Sequence, residues 1–274
     1  MEYIFSDNNS SSEMSKKCIE AKKTNDSTFW STMREVIDYD FNTLNKDAFR
    51  RWASIACIPL ANNSRMWKPI ATTTSIAIDD EKIRDLLVEE WVGVDEEYRR
   101  EFRIYDDYDT SAHRCYNVDH LLTYDQFNSI DEISSYKNIV EVGGGYGDMC
   151  GLIHKLGFSG NYYMLDFPEI HQLQKYYLGR IGFSHVNYIT EIAELPTAPD
   201  LVIGTWSISE MPMDVRDEMI DQVIDSKHWL ITYQNNIFGN SNHKYFVDKF
   251  ENIDYAIENI DYMPYDGGNN YLIV

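Results

Sequence analysis

The spacing of apolar residues divides the chain into a helical first part and a second part that alternates strands with helices. Through residues 28–61, apolar side chains recur every three or four positions, which is the period of an amphipathic helix. A further helix is predicted to begin at Asp79 or Asp80, either of which can cap it, and to end near Gly93. Residues 28–110 are therefore expected to be mostly helical.

The pattern of apolar residues changes after residue 135, where short apolar runs rich in β-branched residues are separated by helical stretches. Because strands that alternate with helices need crossover connections, we expect an α/β fold with a mostly parallel, doubly wound sheet. The predicted strands are 138–142, 161–165, 186–188, 201–204 and 229–233, followed by 254–260 and 270–274, which residues 266–269 could join by a turn.

Three segments follow from this pattern. Residues 1–27 are polar and are predicted to form a flexible tail. Residues 28–120 are predicted to form a helical N-terminal region, and residues 121–274 to form the α/β domain.

Composition narrows the classes of partner. Hydrophobic residues make up 43% of the 274 positions, which is too many for a disordered chain. The 24 Lys and Arg residues against 45 Asp and Glu residues give a formal net charge of −21. Binding to phosphate backbones or anionic lipids needs a basic face, so we expect neither a nucleic-acid partner nor membrane association.

The four cysteines and the N-terminus indicate the compartment. Cys18, Cys57, Cys115 and Cys150 are widely scattered, with neither CxxC pairs nor a dense disulfide pattern. The first residues are polar where a signal peptide would be apolar, and the chain lacks a run of about 18 apolar residues. We expect a soluble cytoplasmic protein without membrane insertion.

A glycine-rich turn carries the strongest chemical signal. Gly143, Gly145 and Gly147 follow a predicted strand and precede a predicted helix, so the backbone can approach a ligand closely. The dinucleotide spacing G-x-G-x-x-G fails because Asp148 or Cys150 stands at the third position, and a P-loop lysine is missing. The remaining pattern, E-x-G-x-G-x-G, resembles the first motif of the Rossmann-like methyltransferases that bind S-adenosylmethionine.

Further strings extend this resemblance. Residues 140–147 (VEVGGGYG), 165–169 (LDFPE) with 174–178 (QKYYL), and 207–211 (SISEM) together resemble the sugar O-methyltransferase family of class I enzymes. The match covers residues 110–240. It implies a seven-stranded methyltransferase sheet that binds S-adenosylmethionine at the carboxyl ends of its strands and releases S-adenosylhomocysteine, with the helical N-terminal region closing over the acceptor.

The resemblance assigns the cofactor residues. Asp166 lies 19 residues after Gly147, as expected for a carboxylate that accepts hydrogen bonds from ribose hydroxyls. Glu141 would position the cofactor through the loop or through its amino group. Tyr146 could lie over the methionine part, although a packing role is equally open. The other candidates are Gly143, Gly145, Gly147, Phe167, Glu191, Ile192 and Ser207.

Methyl transfer to a hydroxyl needs alignment and a group that takes the proton, which selects the catalytic candidates. Glu210 is the first, as a base or acceptor ligand; capping of the next helix or cofactor binding is equally open. His113 and His120 form the second group, with His120 preferred. Guanidinium, phenol and amide groups supply the substrate candidates, which are Arg114, Tyr233, Asn235 and Asn236. Glu210, Asn235 and Asn236 offer oxygen ligands of a kind that Mg²⁺ accepts. A dedicated metal site has more carboxylates than these residues supply, so we expect no metal.

Three functions compete at this point. The first is methylation of a hydroxyl on a small-molecule sugar or glycan precursor. The second is methylation of another small acceptor: a phosphorylated compound, a carboxylate or an amine. The third is an inactive methyltransferase-fold binding module, which the intact glycine turn and Asp166 argue against. A homo-oligomer is left open. Arg114 and the nearby Arg99, Arg100 and Arg103 would favour an anionic acceptor if they line the cleft, and a neutral glycan if they face away.

Overall fold

A seven-stranded sheet organises the described part of the chain. The computed structural model describes residues 34, 67–88, 91, 110–237, 239–260 and 268–274. The strands are β1 (Asn138–Val142), β2 (Asn161–Leu165), β3 (Val186–Ile189), β4 (Leu201–Thr205), β5 (His228–Gln234), β6 (Asn236–Ile237), β7 (Asn240–Ser241), β8 (Ala256–Asn259) and β9 (Asn269–Ile273). The helices are α1 (Trp67–Asp79), α2 (Glu81–Leu87), α3 (Ala112–Asp125), α4 (Asp148–Lys155), α5 (Pro168–Arg180), α6 (Ser207–Glu210), α7 (Met213–Val223) and α8 (Asn242–Lys249).

The strand order places a crevice at one edge of this sheet. The order is β3-β2-β1-β4-β5-β9-β8, in which β1 to β5 run parallel and β9 runs antiparallel to both of its neighbours. The chain winds outward from β1 to β3 and then returns to β4 on the other side of β1. Ligands of open α/β sheets bind beyond the carboxyl ends of the strands at such a reversal.

Apolar layers cover both faces of the sheet. Helices α3, α4 and α5 pack on one face, where Tyr116, Leu152 and Leu173 belong to one buried cluster. Helices α7 and α8 pack on the other face, where Met219 and Phe246 belong to the second buried cluster. The sheet is therefore doubly wound, and the predicted α/β fold is confirmed.

The predicted elements agree with the structure to within a few residues at their ends. Strands β1 and β2 have the predicted bounds, whereas β8 is shorter, at 256–259. Asp80 caps α2, its side chain accepting a hydrogen bond of 3.1 Å from the Ile83 amide. Helix α2 ends at Leu87 instead of near Gly93, because Val88 is already extended. Apart from the helical Arg34, the helices expected over 28–61 lie outside the described residues.

Helix α3 crosses the expected segment boundary at residue 120. It runs from Ala112 to Asp125, and Cys115, Tyr116 and Leu121 belong to the buried cluster on the sheet. The division into three segments stays a prediction. Among the described helices, none combines the length and hydrophobicity required to cross a membrane.

Candidate functional site

The glycine turn between β1 and α4 is shaped by left-handed backbone conformations. Gly143, Gly145 and Gly147 have φ values of +70°, +56° and +102°. Such angles are strained for residues with a Cβ atom, which explains the three glycines. The Gly143 amide donates to the Leu165 carbonyl at 2.9 Å, so the turn is fastened to the end of β2. Helix α4 begins immediately afterwards and directs its N-terminus to the same edge.

Gly143 also lies against α6. A Cβ atom at Gly143 would lie 2.4 Å from the Ser207 Cβ atom, and the Ser207 hydroxyl donates to the Val142 carbonyl. The candidate Ser207 therefore joins α6 to the glycine turn.

Gly143→Ala is expected to lower the free energy of unfolding by about 1–3 kcal/mol, because the methyl group meets Ser207 and the residue must keep a positive φ. Gly179→Ala is the matched control. Its added Cβ has open space in α5, so the free energy should stay unchanged or rise by up to about 1 kcal/mol. Urea denaturation of both variants measures this difference, and equal effects would contradict the described turn.

Asp166 stands at the carboxyl end of β2, facing the turn. Its Oδ1 atom accepts a 2.8 Å hydrogen bond from the Phe167 amide, and its Oδ2 atom accepts one of 2.9 Å from Gln174 Nε2. The same Gln174 nitrogen donates to the Gly145 carbonyl at 3.0 Å. Burial raises the pKa of Asp166 to about 7, against the lowering effect of these donors. Sequence reasoning missed Gln174, although it begins the 174–178 string.

Glu141 lies beneath the turn and is only 2% exposed. The Tyr162 hydroxyl donates to its Oε2 atom at 2.7 Å, and a Cβ atom on Gly144 would lie 3.0 Å from that oxygen. Burial raises the pKa of Glu141 to about 8, the hydrogen bond from Tyr162 lowers it, and the charges of Asp166 and Asp148 raise it further. Glu141 therefore does not face solvent at the end of β1.

Glu141 should make stability fall with rising pH. An acid with a higher pKa in the folded chain holds its proton there after the unfolded chain has lost it, so the folded state loses stability from about pH 4.3 up to about pH 8. Glu141→Gln should show a smaller fall, while Asp166, with its pKa near 7, keeps part of the slope.

Urea denaturation at pH 5, 6.5 and 8 measures this slope, which should be about 1.4 kcal/mol per pH unit for each such group between its unfolded and folded pKa values. Glu218→Gln, at an exposed position of α7, is the control and should keep the wild-type slope. Identical slopes for Glu141→Gln and the wild type would contradict the buried carboxyl.

The remaining cofactor candidates that follow β2 and β3 differ in their exposure to solvent. Phe167 is 37% exposed, and the Arg34 guanidinium carbon lies 4.6 Å from its ring centroid. Arg34 also forms two hydrogen bonds of 2.9 and 3.0 Å with the Glu169 carboxylate. Glu191 is exposed and Ile192 is half-buried, both directly after β3. Their contact with adenine stays a prediction.

Tyr146 and His113 pack together on the α3 face. Tyr146 is 1% exposed, with its ring edge-on to Tyr177 at 5.0 Å and tilted against His113 at 5.3 Å. Burial lowers the pKa of His113, and the charge of Asp148 partly opposes this. The packing role left open for Tyr146 therefore has direct support, and its contact with a cofactor stays a prediction.

His120 is completely buried between α3 and the sheet. Its Nδ1 atom lies 2.7 Å from the Tyr271 hydroxyl oxygen, and its ring centroid lies 6.5 Å from that of Trp206. Burial, with a smaller contribution from His113, lowers the pKa of His120 to about 3. The imidazole is therefore neutral at physiological pH.

Trp206 precedes the short helix α6, which follows β4, and Glu210 is the last residue of that helix. Trp206 has a φ of +73°, the one positive value among the described non-glycine residues. Its amide donates to the Thr232 carbonyl at 3.0 Å, which holds this strained residue at the sheet edge. Glu210 is half-buried and ends α6; the N-cap of α7 is Pro212, so Glu210 is not the cap of that helix.

The four substrate candidates are not brought together. Arg114 is completely buried in an ion pair of 2.8 Å with Asp148 on the α3 face. Tyr233 lies on the opposite face, where its ring packs on Phe246 at 4.7 Å. Asn235 is half-buried at the end of β5 and Asn236 is exposed in β6. Their contact with substrate stays a prediction, but the partners of Arg114 and Tyr233 favour structural roles.

Within the described residues, we find no group of three or more His, Cys, Asp or Glu side chains that could hold a metal ion. The expectation that the chain works without a metal stays a prediction.

Comparisons with known proteins give similarity in structure alone. No family model matches the chain, and no curated protein matches its sequence. A SAM-dependent methyltransferase from Aquifex aeolicus is 14% identical with a TM-score of 0.38, covering 50% of this chain and 81% of its own. A precorrin-6y C5,15-methyltransferase from Geobacter metallireducens is 14% identical with a TM-score of 0.38, covering 53% and 86%.

An rRNA methylase from Streptococcus thermophilus is 12% identical with a TM-score of 0.40, covering 53% of this chain and 91% of its own. None of these three proteins is named for a sugar acceptor.

Proposed function

We propose that this chain is an S-adenosylmethionine-dependent methyltransferase that methylates a hydroxyl group of a small sugar or glycan precursor. The observation that carries the proposal is the pairing of the glycine turn with Asp166. Gln174 bridges the two through hydrogen bonds to the Gly145 carbonyl and the Asp166 carboxylate. This arrangement stands at the point of strand-order reversal where α/β sheets bind nucleotides.

The residues fit the cofactor in three ways. Asp166 can accept hydrogen bonds from the ribose hydroxyls, for which a carboxylate offers about four lone-pair sites. The turn has glycines where a side chain would occupy the approach of the ligand. Buried Glu141, whose raised pKa of about 8 keeps it mostly protonated at neutral pH, offers a hydrogen-bonding carboxyl group beneath the turn. When bound, S-adenosylmethionine supplies a methyl group activated by its positive sulfur.

On the acceptor side, we place His120 against the reacting hydroxyl. With the hydrogen on Nδ1 donated to Tyr271, the Nε2 atom presents a lone pair. His120 Nε2 would accept a hydrogen bond from the acceptor hydroxyl and would take up its proton once the oxygen carries the methyl group. A base of such low pKa accepts the proton late, after methylation has made the oxygen strongly acidic. Glu210 is the alternative base.

A second candidate function is methylation of a phosphorylated or carboxylate acceptor. It requires a cation in the cleft, and the described Arg114 is already paired with Asp148. A nucleic-acid substrate has less support, because a net charge of −21 opposes binding of a polyanion. A neutral acceptor therefore fits the described residues better.

A methyl-transfer screen tests the acceptor. The wild-type protein and S-adenosylmethionine are incubated with free sugars, nucleotide sugars, oligosaccharides and amines, and products are read by mass spectrometry. We expect a single added methyl group on a sugar, which Asp166→Asn abolishes. Transfer to amines alone would overturn the sugar acceptor, and binding of the cofactor without transfer to any class would favour the inactive binding module.

A further inference from the structure

Four buried side chains at the carboxyl edge of β4 and β5 hold polar atoms without hydrogen-bond partners. The atoms are His120 Nε2, Trp206 Nε1, Thr232 Oγ1 and both amide atoms of Asn269. Trp206 is 9% exposed and the other three are completely buried. A buried polar atom without a partner is energetically unfavourable, so several at one place indicate a ligand site.

These four residues, which we call the edge cluster, are neighbours in space. The Trp206 amide donates to the Thr232 carbonyl, and Thr232 pairs with Tyr271 across β5 and β9. Cross-strand partners share a face, so Thr232 lies on the side where the Tyr271 hydroxyl meets His120. Asn269 precedes Tyr271 by two residues and lies on the same face, one step nearer the edge.

Aromatic rings border the edge cluster. The ring of Tyr116 lies 4.2 Å from that of His120, and it is nearly parallel to Trp206, with centroids 6.3 Å apart and an angle of 10°. Trp206 holds this position with a positive φ, a strain that proteins keep mainly at functional sites. The next residue, Ser207, contacts the glycine turn, so the edge cluster adjoins the cofactor site.

The edge cluster has no formal charge among its described residues. His120 is neutral at physiological pH, and Trp206, Thr232 and Asn269 do not ionise. The nearby Arg114 is compensated by Asp148. Burial of an ion at an uncharged site is strongly unfavourable, whereas hydroxyl groups can use both the donors and the acceptors present.

We infer that the edge cluster is the acceptor site of this chain and that it selects an uncharged ring compound bearing hydroxyl groups. Aromatic side chains contact the ring, and Trp206, Thr232, Asn269 and His120 bind its hydroxyls. This inference rests on the proposed methyltransferase function. Two classes of compound have uncharged rings that bear hydroxyl groups: neutral saccharides and phenols.

Probe binding to the protein saturated with S-adenosylhomocysteine tests the inference. The neutral probes are methyl β-glucopyranoside and catechol; their charged counterparts are glucuronate and protocatechuate. We expect saturation-transfer NMR to detect one neutral probe, which identifies the class of compound, and to show at least fivefold weaker binding of its charged counterpart. Thr232→Val and Trp206→Phe should each weaken the neutral probe at least fivefold, with S-adenosylhomocysteine affinity within twofold of the wild type.

Thr123→Val is the matched control, because Thr123 bonds within α3 to the Asp119 carbonyl and should leave probe affinity unchanged. Three results would overturn the inference: no binding of either neutral probe, equal or tighter binding of charged probes, or equal effects of Thr232→Val and Thr123→Val. Failure of S-adenosylhomocysteine itself to bind overturns the proposed function instead, and the same probes on the ligand-free protein then still decide the role of the edge cluster.

Discussion

Asp166→Asn is expected to weaken S-adenosylhomocysteine binding by about 10²–10⁴-fold. Each hydrogen bond to a charged group contributes about 1.5–3 kcal/mol, and a ribose can donate two to this carboxylate. The amide retains the shape of the side chain but removes its charge and one acceptor. Isothermal titration calorimetry of the wild type and the variant, at a pH well above the Asp166 pKa of about 7, measures the ratio of dissociation constants.

Asp131→Asn is the control for this experiment. Asp131 carries the same side chain, but it is 82% exposed and paired with Lys82, outside the cofactor edge. The dissociation constant of S-adenosylhomocysteine from Asp131→Asn should equal that from the wild type. If Asp166→Asn also binds with wild-type affinity, the carboxylate does not hold the ribose.

Arg114→Met is expected to lower the free energy of unfolding by about 3–5 kcal/mol. The guanidinium pairs with Asp148 at 2.8 Å and donates to the Tyr177 hydroxyl at 2.9 Å, with both charged side chains no more than 1% exposed. Removal of the cation leaves a buried carboxylate whose remaining described donors include Asn117, at 2.9 Å. Chemical denaturation measures the change.

Arg84→Met is the control, which shows whether the lost stability comes from the buried ion pair or from the removal of any arginine. Arg84 is exposed and donates to the carbonyls of Ala77 and Ile78 at the end of α1, so its replacement should cost less than about 1 kcal/mol. The double variant Arg114→Met/Asp148→Asn should recover part of the lost stability. Equal costs for Arg114→Met and Arg84→Met would contradict the buried pair.

Local patterns were sufficient to predict the sheet. The central strands β1, β4 and β5 bear buried apolar residues on both faces, since helices cover both, and this produces short apolar runs such as 201–203 that are visible in the sequence. Glycine positions predicted the turn because left-handed backbone favours glycine, and the spacing from Gly147 predicted Asp166. These signals are local or depend on a fixed separation along the chain.

The meeting of the residues of the edge cluster could not be predicted in this way. Thr232, Tyr271 and His120 are far apart in sequence and meet only because β9 pairs with β5 and α3 packs on the same face. The ion pair of Arg114 with Asp148 is likewise not predictable, because a buried pair leaves no periodic signal in the sequence. The positive φ of Trp206, which the hydrogen bond from its amide to Thr232 supports, is likewise not predictable from the residue type.

The central claim is that the glycine turn and Asp166 form an S-adenosylmethionine site. Calorimetric titration of the wild-type protein with S-adenosylhomocysteine tests it most directly. We predict saturable binding of one ligand per chain, which S-adenosylmethionine competes with and NAD does not. Ligand at 100 times its dissociation constant should raise the free energy of unfolding by about 2.7 kcal/mol. The absence of binding heat and of any thermal shift at millimolar ligand would contradict the account.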